Sequence, residues 1–347
     1  MSIAEEAATI REKLKKDDSI KVSIALFGQP GSGKSSLINK IIGKKVAKEG
    51  VVTDTTTEQA MYEHNGLQFV DLPGYDTKRF PRETFFRNFN IESFDLFLCI
   101  FSGKLHDADC QFFNELDKIG KVCIFVRNKH DELWQEGKTT EELEKEIEND
   151  LYKQINKKAK LIFTSCRKST GFDELNKEIG INLDPAKHER WYSGAKAYSQ
   201  EFLARKKEAS AVYVHLSAAS SAANGFNPIL GLDMAIDVGI IQALFLKIRD
   251  NYGLDFEKLA LIKASGLTAL TPVINNIIQY ASKEGILALF KEFASRQVAK
   301  QAAKYIPFVG PVIAGTISYG VTVLVGNNYV DECHQVASEI LERELRK

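Results

Sequence analysis

Four residues at fixed intervals, Gly28, Gly33, Lys34 and Ser35, stand in the run GQPGSGKSS and read G-x-x-x-x-G-K-S. Glycines let the backbone turn its N–H groups inward around phosphate oxygens, and a helix that begins at the lysine adds the positive end of its dipole. On this pattern Gly28, Gln29, Pro30, Gly31, Ser32, Gly33 and Ser36 form a phosphate cradle. Lys34 reaches the β- and γ-phosphates, and the Ser35 hydroxyl ligates Mg2+. A second constellation is Asp71-Leu72-Pro73-Gly74. An acid at the carboxyl end of a strand, followed by a glycine, can hold the metal's outer shell and offer a backbone N–H to a γ-phosphate, here Asp71 and Gly74. The third is Asn128-Lys129-His130-Asp131. Asp131 can accept two hydrogen bonds from guanine N1–H and the 2-amino group. Adenine lacks that donor pair, so a carboxylate there rejects it. Asn128 would support the loop and reach the base, and the Lys129 stem would lie over the ring. Ser165, with Cys166 beside it, sits where a backbone N–H could contact guanine O6.

These residues need elements to place them. KVSIALF is a short β-favouring run before the loop, and Leu37, Ile38, Ile41 and Ile42 recur at helical spacing after it. Residues 43–57 are polar and rich in Thr and Gly and read as a loop past the phosphates. Two extended runs flank His64-Asn65-Gly66, a hairpin signal, and the second ends at Asp71. Residues 76–90 read as a mobile loop. FDLFLCIFS (94–102) and KVCIFV (121–126) are continuous apolar runs, as buried parallel strands are. Helices are expected over 107–119 and 141–155, with a further strand over 159–166. Alternating strands and helices with one early hairpin predict an α/β, doubly wound, mostly parallel sheet with its ligand at the strands' carboxyl ends. Asp184-Pro185 marks the expected end of this domain.

Beyond it helical signals dominate. The expected division is an N-terminal helix over 1–20, an α/β domain over 21–185 and an all-α domain over 186–347. In the first of these, Ile3, Ala7, Ile10 and Leu14 make an amphipathic face that packs on another part of the molecule or lies on a membrane surface. Three uncharged stretches, 209–232, 264–282 and 305–330, punctuate the helical part. The last is long enough to span a bilayer, but its prolines, glycines and terminal Asn-Asn favour buried helices of an all-α domain over membrane insertion. Gly310, Gly315 and Gly320 suggest close helix contact. Asp233 and Asp237, four apart, share one helix face.

The 347 residues carry 46 Lys and Arg against 46 Asp and Glu, a net charge of zero, which argues against a nucleic-acid partner. With 44% hydrophobic and 27% charged residues the composition is that of a soluble globular protein. Five cysteines without metal-ligand spacing read as reduced thiols of a cytosolic protein. The N-terminus carries no apolar signal core, and its Met-Ser start does not admit N-myristoylation.

GQPGSGKSS, GVVTDTTTEQAMYEH, DLPGYDT, VRNKHDE and the late IPFVGPVIAGTISYG together resemble the immunity-related, or interferon-inducible, GTPases over roughly the whole chain. The resemblance implies a Ras-like G domain joined to a helical domain built from the N-terminal helix and the C-terminal half. It also implies dynamin-like behaviour, with nucleotide-dependent self-association through G domains and action at membranes. Two departures stand out. The family often has T-K-x-D where this chain has Asn128-Lys129-His130-Asp131, and members carrying a myristoylation signal begin Met-Gly. Lys34 matches the larger, effector-type subgroup.

The expected reaction is slow hydrolysis of GTP to GDP and phosphate, with Mg2+ held by Ser35, a loop threonine and Asp71. Thr56 is the first choice for that threonine, with Thr55 beside it in the same run. Tyr75 follows Gly74 where Ras-type proteins place a glutamine, so the water-positioning side chain is missing. Pairing in trans would supply a group, though neither Arg79 nor Arg82 is assigned that role. The expected placement is cytoplasmic or peripheral on an intracellular membrane. The alternative is a soluble switch that binds a protein partner according to its nucleotide.

Overall fold

A computed structural model describes residues 19–47, 60–223, 235–264, 266–294 and 317–346, together with Thr9 and Glu12. They fall into two compact units: Lys21–Lys196, and Met1–Ile20 taken with Ala197–Lys347. Most of the expected N-terminal helix, the threonines 55–57, Asp233, the side chain of Asp237 and the glycines at 310 and 315 lie outside the described residues.

The first unit is a six-stranded sheet. Its strands are β1 (Val22–Phe27), β2 (Ala60–His64), β3 (Leu67–Asp71), β4 (Leu96–Phe101), β5 (Cys123–Arg127) and β6 (Leu161–Phe163). They run in the order β2-β3-β1-β4-β5-β6. Every pair is parallel except β2 with β3. The order follows from burial: β4 is buried at all six positions and β1 at all but Ser23, so both take the centre. The antiparallel edge is the hairpin expected around Asn65-Gly66. Both residues have positive φ, +49° and +75°, as a two-residue turn of this hand requires. Because the order reverses between β1 and β4, a crevice opens at their carboxyl ends, where α/β sheets bind ligands.

Helices α1 (Lys34–Ile42), α2 (Arg82–Asn88), α3 (Asp107–Lys118), α4 (Thr140–Ile155), α5 (Phe172–Asn182) and α6 (Pro185–Gly194) complete this unit. Helix α4 starts at a capping box: Glu142 N–H donates to Thr139 Oγ1 at 3.2 Å, and Thr139 N–H to Glu142 Oε2 at 2.8 Å. Two expectations change here. The stretch 76–90, expected as a mobile loop, contains α2. Pro81 starts the helix, and Phe85 and Phe89, four apart, turn one face into the core. The expected boundary at Asp184-Pro185 is the start of α6, which stays with the sheet unit. Trp191 is fully buried and its Nε1–H donates to Asn176 O at 3.0 Å, while Lys196 N–H donates to Ile41 O at 2.7 Å.

The second unit is helical throughout its described residues: α7 (Gln200–Ala223), α8 (Ala235–Asn251), α9 (Phe256–Ala264), α10 (Thr271–Gln279), α11 (Lys283–Ala294) and α12 (Ile317–Leu345). Helices α7 and α12 approach closely at Gly326, where a Cβ would lie 2.5 Å from Val214 Cγ1. Phe245 stacks on Tyr329 with ring centroids 4.0 Å apart. No helix among the described residues is long and apolar enough to cross a membrane.

Candidate functional site

The chain leaves β1 through Gly28. Its φ is +121°, and a Cβ there would lie 2.1 Å from the Ile100 carbonyl oxygen of β4, so a side chain is excluded twice over. The loop closes at Gly33, the N-cap of α1, with φ +91°. A Cβ at that residue would come within 2.4 Å of Asn128 Nδ2. Pro30 and Gly31 are exposed, Ser35 and Ser36 half-buried, and Ser32 fully buried with an Oγ that has no hydrogen-bond partner. Gln29 Nε2 donates to the Lys104 carbonyl, which ties the loop to the segment after β4.

Lys34 opens α1 and arches back over the loop. Its Nζ donates to Gly28 O at 3.0 Å and Gln29 O at 3.3 Å. It also stands 3.8 Å from Asp71 Oδ1, an ion pair too long to be a hydrogen bond. Asp71 ends β3 one strand away, opposite Leu26. Asp71 is 6% exposed, and its Oδ1 has no hydrogen-bond donor. Burial pushes its pKa up to about 6, against the pull of Lys34. A buried carboxylate oxygen without a donor is a hard ligand of the kind Mg2+ takes, and Ser35, which follows Lys34 in α1, carries a second oxygen of that kind.

The second loop follows β5. Asn128 is 1% exposed, and its Nδ2 donates to Ser32 O at 2.8 Å. Its Oδ1 accepts from Thr164 Oγ1 at 3.3 Å. One side chain thus joins the phosphate loop, the β5 loop and the loop after β6. Lys129 takes a left-handed conformation, φ +58°, two residues before half-buried Asp131. Ser165 Oγ donates to Asp131 Oδ1 and itself accepts from Lys168 N–H at 3.0 Å. That hydroxyl holds the Asp131 carboxyl below its ordinary value and so keeps it an acceptor.

Comparison with known proteins decides the family. The model of the interferon-inducible GTPase family matches residues 2–307. The chain belongs to this family. It is 25% identical to interferon-inducible GTPase 5 of Bos taurus across 99% of this chain and 80% of that protein. Interferon-gamma-inducible GTPase 10 of Mus musculus is 34% identical over 34% of this chain and 30% of its own. Among solved structures, Aquifex aeolicus Era bound to GDP and AlF4− aligns over 57% of this chain and 67% of its own, at 22% identity and a TM-score of 0.38.

In this interferon-inducible GTPase family member the structure pairs Lys34 with Asp71 and Asp131 with Ser165, and Asn128 links the phosphate loop to the loop that carries Asp131. Thr56 lies outside the described residues. The Ser165 expectation needs correction. Its backbone N–H donates to Thr170 O at 3.1 Å, so that hydrogen is not offered to a base. The hydroxyl on Asp131 is the contribution of Ser165, and half-buried Cys166 sits beside it. Gly74 is exposed, and its carbonyl accepts from Thr77 Oγ1 at 3.3 Å. Tyr75 does not face the phosphate end. It is 5% exposed, stacked on Phe112 at 4.9 Å and edge-on to Phe85 at 5.1 Å. Sequence reading missed Thr164 and the Ser165 hydroxyl as supports of the base loop. Their signal is weak, since a Thr-Ser pair after a short strand is common loop chemistry.

Proposed function

We propose that the chain binds GTP, hydrolyses it to GDP and phosphate, self-associates through its G domain in the GTP state, and acts at membranes. The observation that carries the nucleotide part is the Asn128 bond to Ser32, because it sets a base-reading loop and a phosphate loop in one rigid frame. Asp131 accepts from guanine N1–H and the 2-amino group, with Ser165 fixing its carboxylate. The loop N–H groups and Lys34 bind the β- and γ-phosphates, and Lys34 exchanges its bonds to Gly28 O and Gln29 O for phosphate oxygens. Ser35, Thr56 and Asp71 would hold Mg2+, whose charge offsets that developing on the phosphates. The Gly74 N–H would bond the γ-phosphate and release the following loop once that phosphate leaves.

Self-association is supported by where Tyr75 lies. In the position of a water-orienting glutamine, it is committed to the aromatic core and offers nothing to the attacking water. A group supplied by a second copy across the nucleotide can be worth roughly 10³–10⁵ in rate. Specific activity should therefore rise with protein concentration, and a flat profile would remove this part of the proposal. The membrane role follows the family resemblance. A soluble switch that binds a protein partner is the second reading. Co-sedimentation with liposomes in GTP and in GDP separates the two. The primary test is affinity for GTP, GDP and ATP, with light scattering on the same samples. Tight guanine binding with GTP-specific scattering is expected, and equal affinity for ATP overturns the proposal.

A further inference from the structure

Arg127 is the last residue of β5 and is 8% exposed. Its neighbours along the strand, Phe125 and Val126, are apolar and fully buried. An aliphatic residue would serve the strand equally well, since a buried guanidinium carries a desolvation cost. No carboxylate lies within ion-pair distance of it among the described residues. Glu132 acts on it only through the field, and burial lowers its proton affinity. Its Nε has no partner. The bond it makes is from Nη1 to the carbonyl of Asn128, the next residue.

That carbonyl belongs to the peptide leading into Lys129, whose φ of +58° is costly for a residue with a Cβ. The backbone neighbours are used elsewhere. Asn128 N–H donates to Phe101 O at 2.9 Å, Thr164 N–H to Arg127 O at 2.9 Å, and His130 N–H to Thr164 O at 3.0 Å. These bonds fix both sides of the Asn128 carbonyl and leave Arg127 as its donor. We infer that Arg127 is a positioning residue for guanine recognition: its guanidinium holds the Asn128 carbonyl, and with it the left-handed turn at Lys129 that aims Asp131. This rests on the guanine-reading proposal above and adds the group that keeps the reading loop in register.

The test compares affinities for GDP and for inosine diphosphate, which keeps the ribose, phosphates and N1–H but lacks the 2-amino group. Their ratio reads one of the two Asp131 bonds and is blind to a general loosening of the phosphate loop. The unaltered chain is expected to prefer GDP by about tenfold or more, the worth of one hydrogen bond to a charged acceptor. Arg127→Met, which keeps length and bulk, is expected to cut the preference to about twofold, with affinity falling for both nucleotides but further for GDP, which loses two Asp131 bonds where inosine diphosphate loses one. Arg127→Lys, whose ammonium can still reach a carbonyl, is expected to recover more than half of the lost preference. An unchanged preference in Arg127→Met, or an equal loss for both nucleotides, overturns the inference. Should Arg127→Met fail to fold by circular dichroism, Arg127→Gln replaces it, and a preference at least about threefold below that of the unaltered chain is required. Absence of any preference in the unaltered chain would instead overturn the guanine reading, and the inference with it.

Discussion

Asp71 joins two demands that conflict when the nucleotide is absent. It must be ionised to serve a cation, yet it is buried where ionisation is costly and only Lys34, at 3.8 Å, favours the charge. Burial raises its pKa to about 6, above the value of an unfolded aspartate. The folded, nucleotide-free chain therefore holds this proton more tightly than the unfolded one. The resulting stabilisation is full below the unfolded pKa and is lost as pH rises through about 6. Two effects of opposite sign follow. Asp71→Asn is expected to raise the thermal midpoint of the nucleotide-free protein at pH 7.5 by roughly a few degrees. The same change should abolish the gain in GTP affinity that Mg2+ gives. In the unaltered protein that gain should shrink by about tenfold per pH unit below pH 6, where protons compete for the carboxylate. Titrating GTP with and without Mg2+ from pH 5 to pH 8 checks this. A gain that is independent of pH would show that Asp71 is not near the metal.

At the scale of elements, the loop after β3 is anchored by one ring. Tyr75 stacks on Phe112 of α3, which also meets Phe27, the last residue before the phosphate loop, at 4.7 Å. Phe85 of α2 closes the cluster at 5.2 Å from Phe112. Packing here ties the loop after β3 to two helices, while the Tyr75 hydroxyl is buried with no partner and adds nothing to the fold. Tyr75→Phe should therefore be neutral or stabilising by up to about 1 kcal/mol and leave the hydrolysis rate unchanged. Phe112→Ala should cost about 3–5 kcal/mol and free the loop. Chemical denaturation together with single-turnover hydrolysis tests the pair, and a rate lost in Tyr75→Phe would give the hydroxyl a chemical role that its burial argues against. The same cluster shows what sequence could and could not reveal. Gly28 to Ser35 and Asn128 to Asp131 were legible because their chemistry depends on spacing along the chain, and the strands because burial on both faces leaves continuous apolar runs. Helix α2 was not legible, because Arg82, Glu83, Arg87 and Asn88 make most of its seven residues polar and only its packing on Tyr75 and Phe112 identifies Phe85 as core. Nor was α6, whose place with the sheet is set by Trp191 bonding Asn176 rather than by any local signal. The Ser165 role failed for a related reason: which of its two donors faces the ligand depends on Thr170, which takes the backbone N–H.

For the whole molecule, the placement of the two tryptophans makes the units separable in solution. Trp134 is 80% exposed and Trp191 fully buried, and both lie in the sheet unit, whereas the helical unit has none. Indole emission on unfolding thus reports Trp191 and the nucleotide-binding unit, and ellipticity reports both units. Guanine nucleotide at 100 times its dissociation constant should stabilise the emission transition by about 2.7 kcal/mol. Lys206 gives the helical unit its own pH dependence. The side chain is 2% exposed on α7 and its Nζ donates to Asn251 O at 2.8 Å, at the end of α8. Burial lowers its pKa to about 7. Between that value and the ordinary lysine value near 10.5, the unfolded chain carries a proton that the folded chain does not. Stability of this unit should therefore increase as pH rises through that window. The increase should end near pH 10, where unfolding would release phenol protons from Tyr252 and Tyr329, whose pKa values burial holds high in the folded state. Urea titrations of the full chain at pH 7, 8 and 9 should show the ellipticity midpoint climbing, with the emission midpoint nearly still. Lys206→Met should flatten the climb and raise the midpoint most at pH 7. If both probes move together at every pH, the two units unfold as one and the charge of Lys206 is shared by the whole chain. If neither moves, Lys206 keeps its proton when buried, and the Asn251 carbonyl is a stronger partner than a neutral amine requires.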